Sequence, residues 1–306
     1  MTDRTSSADV PTTDHTSANE FIEDQLNIRL RNLETKLKSD VIAYVGPIIY
    51  GVDDVIRSAI EARVKNRPEP DKRLHVILTT QGGYIEVVQR IVETLRYHYP
   101  CCVGFVVPNQ AFSAGTVFAM SGDEIYMDYY SRLGPIDPQV ETADNKMVPA
   151  LGYLVMYDRL LKRAKQNKLL TVEASILLGF DQAELYKYEQ SRELSVALLI
   201  DWVVKYKFKD WTQTETNKKP VTSKMRAKRA EEIARALNDT KRWHSHGHGI
   251  SMEVLRRDLQ LRIKDFGADP ELNDMIHNYQ GLLDDYMTRL GKLGVVHTAG
   301  NFVSFM

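Results

Sequence analysis

Apolar residues follow two different rhythms along this chain. Between residues 40 and 130, short continuous apolar runs alternate with helical stripes; beyond residue 150 the apolar positions recur mainly at helical spacing. Leu74-His75-Val76-Ile77-Leu78 and Val103-Gly104-Phe105-Val106-Val107 are runs of the kind expected for strands covered on both faces. The pattern predicts strands over 41–49, 74–80, 101–108 and 124–130, with helices over 52–66, 84–97 and 113–121 between them. Alternating strands and helices argue for a parallel sheet with helical crossovers. Upstream, Phe21, Ile22, Leu26, Leu30, Leu33 and Leu37 mark an amphipathic helix, suited to packing on the core or on another subunit. Residues 1–18 are rich in Thr, Ser and Asp, too poor in apolar side chains to offset ordering entropy, and are expected to form a disordered tail. Downstream, helices are predicted over 151–168, 183–206, 223–237, 252–263 (with Ser251 as N-cap) and 271–290. Residues 207–219 read as a polar surface connection, 243–249 as a loop, and the chain ends on a short tail, Phe302-Val303-Ser304-Phe305-Met306. The expected division is therefore 1–18 tail, 19–150 N-terminal helix and α/β core, and 151–306 mainly helical region.

Composition narrows the function classes. At 306 residues, 43% hydrophobic and 26% charged, the chain can bury a sizeable core as one large domain or two small ones. A formal net charge of −1 argues against a general nucleic-acid binder. The basic stretch Lys224 to Arg229 runs straight into Glu231 and Glu232, which favours intrahelical pairs on a solvated face over nucleic-acid contact. Cys101 and Cys102 are adjacent in an apolar strand and make no disulfide framework, so a reducing cytoplasm is the expected compartment. Neither a signal-peptide pattern nor an apolar run of bilayer length occurs, so no membrane partner is expected.

Two segments carry candidate chemistry. Thr79-Thr80-Gln81-Gly82-Gly83 follows one apolar strand, and Ala111-Phe112-Ser113-Ala114-Gly115 follows the next. Glycine tolerates positive φ and leaves its N–H unshielded, so a diglycine bend can offer backbone donors. A serine among small residues at a strand-to-helix turn can present its hydroxyl to the same space. A nucleophile beside donors that hold an oxyanion is what acyl transfer requires. Both turns fall beyond the carboxyl ends of predicted parallel strands, where open α/β layers bind ligands.

These motifs resemble the superfamily of the Clp protease proteolytic subunit (ClpP) and signal peptide peptidase A, which shares the crotonase-type β/α spiral. Within it, the chain is most similar to the group called serine dehydrogenase proteinases, a label that says nothing of dehydrogenase activity. Thr80-Gln81-Gly82-Gly83 stands where the superfamily has a Ser/Thr-Pro-Gly-Gly oxyanion loop, with Gln81 in place of proline. Phe112-Ser113-Ala114-Gly115 stands at the nucleophile turn, and residues 122–128 and 133–139 resemble the strand and loop that follow. The match covers residues 40–140 and continues more weakly through Trp243 to Ile250. It implies an α/β protein with a ClpP/crotonase-like core and a mainly helical C-terminal region. It also implies a serine peptidase acting on peptides or proteins through an acyl-enzyme on Ser113. The amides of Gly83 and Ala114 are then the oxyanion donors, no cofactor is needed, and the chain assembles with copies of itself. An ATPase feeding such an assembly leaves no mark in this sequence.

The general base is left open between an aspartate, a lysine and a histidine. Asp137 occupies the loop where the Clp subunit has a histidine; as a carboxylate it is a weak base at neutral pH, though it can orient one. Lys162 and Lys165 fall near the spacing of the lysine base of signal peptide peptidase A, but on a helix whose lysines read as solvated. His246, in Trp243-His244-Ser245-His246-Gly247, matches a Trp-Thr-His-like motif of the serine dehydrogenase proteinase group. It leads, because a histidine near neutrality is the natural partner of serine. His244, His246 and His248 also invite a zinc reading, but one short loop rarely closes a site without a carboxylate or cysteine from elsewhere, so no metal is expected. Two rivals to the peptidase stand: an inactive scaffold or regulatory subunit, suggested by Gln81 and Asp137, and a crotonase-type acyl-CoA enzyme that uses the amide pair without the serine.

Overall fold

A computed structural model of the chain describes residues 17–65, 73–137, 139–141 and 147–306; the expected tail, as far as residue 16, lies outside the described residues. Helix α1 (Ala18–Leu37) leads into β1 (Asp40–Val45), α2 (Val52–Lys65), β2 (Arg73–Thr79), α3 (Ile85–His98) and β3 (Cys102–Val106). Then come β4 (Gln110–Ala111), α4 (Ala114–Met120), β5 (Glu124–Met127), β6 (Arg132–Leu133) and the hairpin of β7 (Gln139–Glu141) and β8 (Met147–Pro149). Helices α5 (Ala150–Lys165), α6 (Thr171–Leu178) and α7 (Gln182–Trp202) follow; α7 runs into a π-helical turn, Val203–Lys207, and then comes α8 (Ser223–Leu237). The remainder is α9 (Thr240–Trp243), β9 (Ile250–Ser251), α10 (Met252–Arg257), β10 (Lys264–Asp265), α11 (Pro270–Leu290), β11 (Val295–Thr298) and β12 (Asn301–Ser304).

The main sheet has the order β10-β5-β3-β2-β1-β11-β12. From β10 to β1 all neighbours are parallel, as the strand–helix alternation requires, and β11 and β12 add antiparallel at one end. Alternate side chains of each strand enter opposite cores. Ile42, Tyr44, Val76, Leu78, Val103 and Phe105 join one large cluster with α2, α3, α4 and α7. Val41, Ala43, Val45, Ile77 and Val106 join the other, closed by α1 and α11. Burial on both faces is why these strands read as unbroken apolar runs.

Three features depart from the pattern-based expectation. The tail is not a simple end: β11 and β12 extend the sheet beside β1. Helix α6 was not predicted, and α10 stops at Arg257 rather than at residue 263. Past it, Leu259, Leu261 and Ile263 are buried in alternation with exposed neighbours, a period of two that no helix can satisfy. The region after residue 150 therefore contributes strands and α11 to the same sheet and cores that residues 40–130 build. Among the described residues, no helix is long and apolar enough to cross a membrane.

Candidate active site

Ser113 stands between β4 and α4, immediately before the helix, and its backbone is its most telling property. Its φ of 55° and ψ of −119° lie in a region that non-glycine residues avoid. Such conformations cost about 1–3 kcal/mol and persist only where the surroundings over-determine them. Here they do. The Phe112 N–H donates to the Thr80 carbonyl at 3.0 Å, the Gly115 N–H to the Phe112 carbonyl at 2.8 Å, and the Thr116 N–H to the Ser113 carbonyl at 2.9 Å. The sharp turn swings a strand directly into a helix, as in the nucleophile elbow of serine hydrolases.

The diglycine bend lies against this elbow. Gly82 has φ +101°, and a Cβ there would sit 2.9 Å from the Ser113 Cβ and 2.7 Å from the Phe112 carbonyl oxygen, so only glycine allows the approach. Gly83 has φ +149°, and its Cβ would overlap the Ile48 carbonyl oxygen at 2.0 Å. Hydrogen bonds from the Ile48 N–H to the Gly82 carbonyl and from the Tyr84 N–H to the Ile48 carbonyl, both 2.9 Å, bracket Gly83. The Gly83 N–H finds no acceptor among the described residues. Ala114 is the first residue of α4, a position whose N–H has no acceptor within the helix. Both amides thus flank the turn with donor capacity to spare.

Ser113 is fully buried, and its hydroxyl donates to the backbone carbonyl of Asp137 at 2.6 Å. The carboxylate of the same Asp137 lies 3.3 Å from Nδ1 of His246, a side chain with 19% exposure. Two residues that the sequence offered as alternatives are therefore neighbours, with Asp137 between the serine and the histidine. The chain around them is pinned. The Thr116 hydroxyl accepts from the Gly134 N–H and faces the Gly134 and Ala111 carbonyls. Strand β6, just before Asp137, pairs antiparallel with β9, just after the histidine loop, through Leu133 and Ile250. Trp243 is buried and its indole N–H donates to the Ala236 carbonyl at 2.7 Å.

The other candidates lie elsewhere. Lys165 is exposed at the last position of α5, whose main neighbours are α6 and α7, and Lys162 is exposed on the same helix. His244 and His248 are exposed, and His248 rests against the Trp243 ring at 5.4 Å. Among the described residues, no group of three or more His, Cys, Asp or Glu side chains could hold a metal ion. Thr116 and Asn238 had not been singled out in the sequence. Neither stands in a motif, and a lone threonine in a helix or an asparagine after one carries no local signal of what it holds.

A mixed sheet with a parallel centre, and with a diglycine bend and an elbow serine beyond its strand ends, is an α/β fold of the ClpP-like kind. The chain belongs to the ClpP-like SDH-type serine proteinase family, whose model matches residues 22–219. It is also similar to two proteins of Methanocaldococcus jannaschii. It is 32% identical to the uncharacterized protein MJ0137 over 120 residues, 36% of this chain and 42% of that protein. It is 26% identical to the uncharacterized protein MJ1495 over 152 residues, 50% of each. The chain thus spans half or less of the length of these relatives. Ser113, Asp137 and the diglycine bend fall inside the family-matched stretch; α8 and His246 fall beyond it.

Proposed function

We propose that the chain is a serine peptidase with Ser113 as nucleophile. The observation that carries this reading is the left-handed backbone of a buried serine set against the diglycine bend. In the proposed reaction the Ser113 oxygen attacks the scissile carbonyl carbon as His246 takes the hydroxyl proton. The carbonyl oxygen becomes an oxyanion held by the Gly83 and Ala114 amides. His246 returns the proton to the leaving nitrogen, the C–N bond breaks, and the acyl group remains on Ser113. A water deprotonated by His246 then attacks that ester, and Ser113 leaves with its proton restored. In this reading Asp137, whose carboxylate lies 3.3 Å from Nδ1, orients the ring and leaves Nε2 to act as the base, the division of labour of a Ser-His-Asp triad. Neither cofactor nor metal is required. The free cysteines Cys101 and Cys102 suit a reducing cytoplasm.

In the structure the Ser113 hydroxyl is engaged by a carbonyl, which cannot act as its base. Catalytic hydrogen bonds commonly tighten only with substrate bound. The same engagement is what a non-catalytic scaffold would show, so the two readings part on reactivity. A fluorophosphonate probe should label the wild type and fail to label Ser113→Ala, which should also lose peptide hydrolysis while keeping its fold. A wild type that resists the probe supports the scaffold, and thioester turnover that survives Ser113→Ala supports the crotonase-type chemistry.

The reading includes assembly with a second copy through the face of α5, α6 and the start of α7. Helix α6 buries no residue, although it is largely apolar. Leu178 protrudes at 87% exposure next to a cavity of about 240 Å³ lined by Tyr153, Ile176, Phe180, Asp181, Glu184 and Tyr188. Knob and socket adjoin in the chain, so a two-fold axis through the face can seat each Leu178 in the other copy's cavity. The acidic Asp181 and Glu184 of the socket are complemented by exposed Lys165 and Lys168, which precede α6.

A further inference from the structure

The residues that fix Asp137 and His246 converge on one place, the last turn of α8. Ile136, the residue before Asp137, is held at both of its backbone groups. Its N–H donates to the Leu237 carbonyl at 2.9 Å, and its carbonyl accepts from the Asn238 side-chain amide at 2.8 Å. One residue earlier, the Ala236 carbonyl receives the indole N–H of Trp243, which stands three residues before His246. Asn238 is itself fixed, as the C-cap whose N–H donates to the Ala234 carbonyl at 3.0 Å. The last turn of a helix leaves its carbonyls without intrahelical donors, so it can grip segments that bring donors to it. Here it grips the segments on both sides of the Asp137–His246 contact.

We infer that Asn238 is a positioning residue: it sets Asp137 between the Ser113 hydroxyl and the His246 ring, and α8 acts as the jig that registers the two. The inference rests on the peptidase reading above. Leu237 offers only backbone, which any residue would supply, whereas the bond to the Ile136 carbonyl needs a side-chain donor of asparagine's reach. Without it that half-buried carbonyl loses its side-chain donor, and the Asp137 backbone one bond further on is free to drift. The carbonyl and carboxylate of Asp137 belong to the same residue, so drift misplaces both at once. A displacement of about 1 Å in a catalytic constellation costs roughly 100-fold in rate.

The test compares wild type, Asn238→Ala and Asn238→Asp, the last keeping the shape but lacking the amide donor. Hydrolysis of a peptide substrate and the rate of fluorophosphonate labelling of Ser113 are read on full-length chains that melt within a few degrees of each other. Both variants should lose about 10- to 100-fold in kcat and in labelling rate, with KM within about twofold, because the alignment of the reacting groups is lost and not the substrate-binding surface. A general loosening of the fold would raise KM and lower the melting temperature as well. An active wild type with both variants unchanged in kcat overturns the positioning role and leaves the peptidase reading intact. A wild type that neither labels nor hydrolyses overturns both.

Discussion

A side chain's environment outweighs its type, as Ser113 and Lys207 show in opposite ways. Ser113 is an ordinary residue in a backbone conformation that costs stability, retained beside the diglycine bend. Lys207 lies in the π-helical turn after α7, in a stretch whose sequence predicts only a polar surface connection. Its stem is half-buried, yet its Nζ is buried and has no hydrogen-bond partner among the described residues. Around it, Asp123 is already engaged by Arg96 at 2.6 Å and Lys209 at 2.5 Å, and Arg96 stacks on Tyr206 at 3.6 Å. Burial pushes the Lys207 ammonium down to about 8, against partial support from Asp123 and Glu124. The unfolded chain therefore binds the proton more tightly than the folded one. The cost to folding is fully present below pH 8 and disappears as the pH rises past about 10.5, where both states are neutral. At pH 7 it amounts to about 3 kcal/mol. Lys207→Met should accordingly raise the free energy of unfolding at pH 7 by an amount of that order, and the gain should shrink at pH 10.5. Urea titrations of both proteins at the two pH values measure it; a destabilised Lys207→Met at pH 7 would show that the ammonium is compensated after all.

Between elements, a second buried titratable group ties three parts of the fold together. His297, on β11, accepts at Nδ1 from the Tyr279 hydroxyl of α11 at 2.7 Å, and its Nε2 faces the side-chain amide oxygen Oδ1 of Asn27 on α1 at 3.2 Å. That oxygen can only accept, so the proton sits on Nε2 and the ring is neutral. Burial takes its pKa down to about 4. Protonation would give Nδ1 a hydrogen facing the Tyr279 hydroxyl, and the unfolded chain binds that proton more readily. Stability contributed by the neutral ring is thus present above pH 6.5 and is lost as the pH falls toward 4, by about 3 kcal/mol in all. Unfolding free energies measured from pH 7 to pH 4 should fall more steeply for wild type than for His297→Gln, by roughly that amount; parallel curves would remove His297 from the acid response. Little of this was legible in the chain. The central strands were, because burial on both faces writes an apolar run, and the elbow was, because Ser113 and the Gly82-Gly83 bend follow successive strands at the spacing of the family they resemble. Strand β11 was not: Val295-Val296-His297-Thr298 alternates too briefly, and its place in the sheet depends on pairing with β1, some 250 residues away. Nor was the Asp137–His246 contact, since long-range pairs leave no spacing to read; the sequence supplied both residues as competitors and the fold made them partners.

For the whole molecule, the question is what completes it. Its two cores are closed by α1 and α11 on one face of the sheet and by α2, α3, α4 and α7 on the other, but α6 is left outside both. Eight residues are too few for a helix to stand alone in water, where isolated helices below about 12–15 residues are marginal. Its ties to the chain are modest, chiefly the ion pair of Arg163 with Glu173 at 2.9 Å, which also receives the Leu170 N–H at 3.0 Å. Leu170, Val172, Ile176 and Leu178 all face solvent in the single chain, an arrangement that hydration opposes. The proposed cover by a second copy would resolve it, with each Leu178 seated in the cavity of the other copy under a two-fold rotation. The expected outcome is a species heavier than the 35.0 kDa monomer in sedimentation velocity, dissociating on dilution. Leu178→Asp should shift it to the monomer without lowering the monomer's melting temperature, since Leu178 packs on little within its own chain. An assembly that keeps its mass in Leu178→Asp would locate the contact elsewhere, and a wild type that sediments as a monomer at high concentration would mean that α6 meets a different surface.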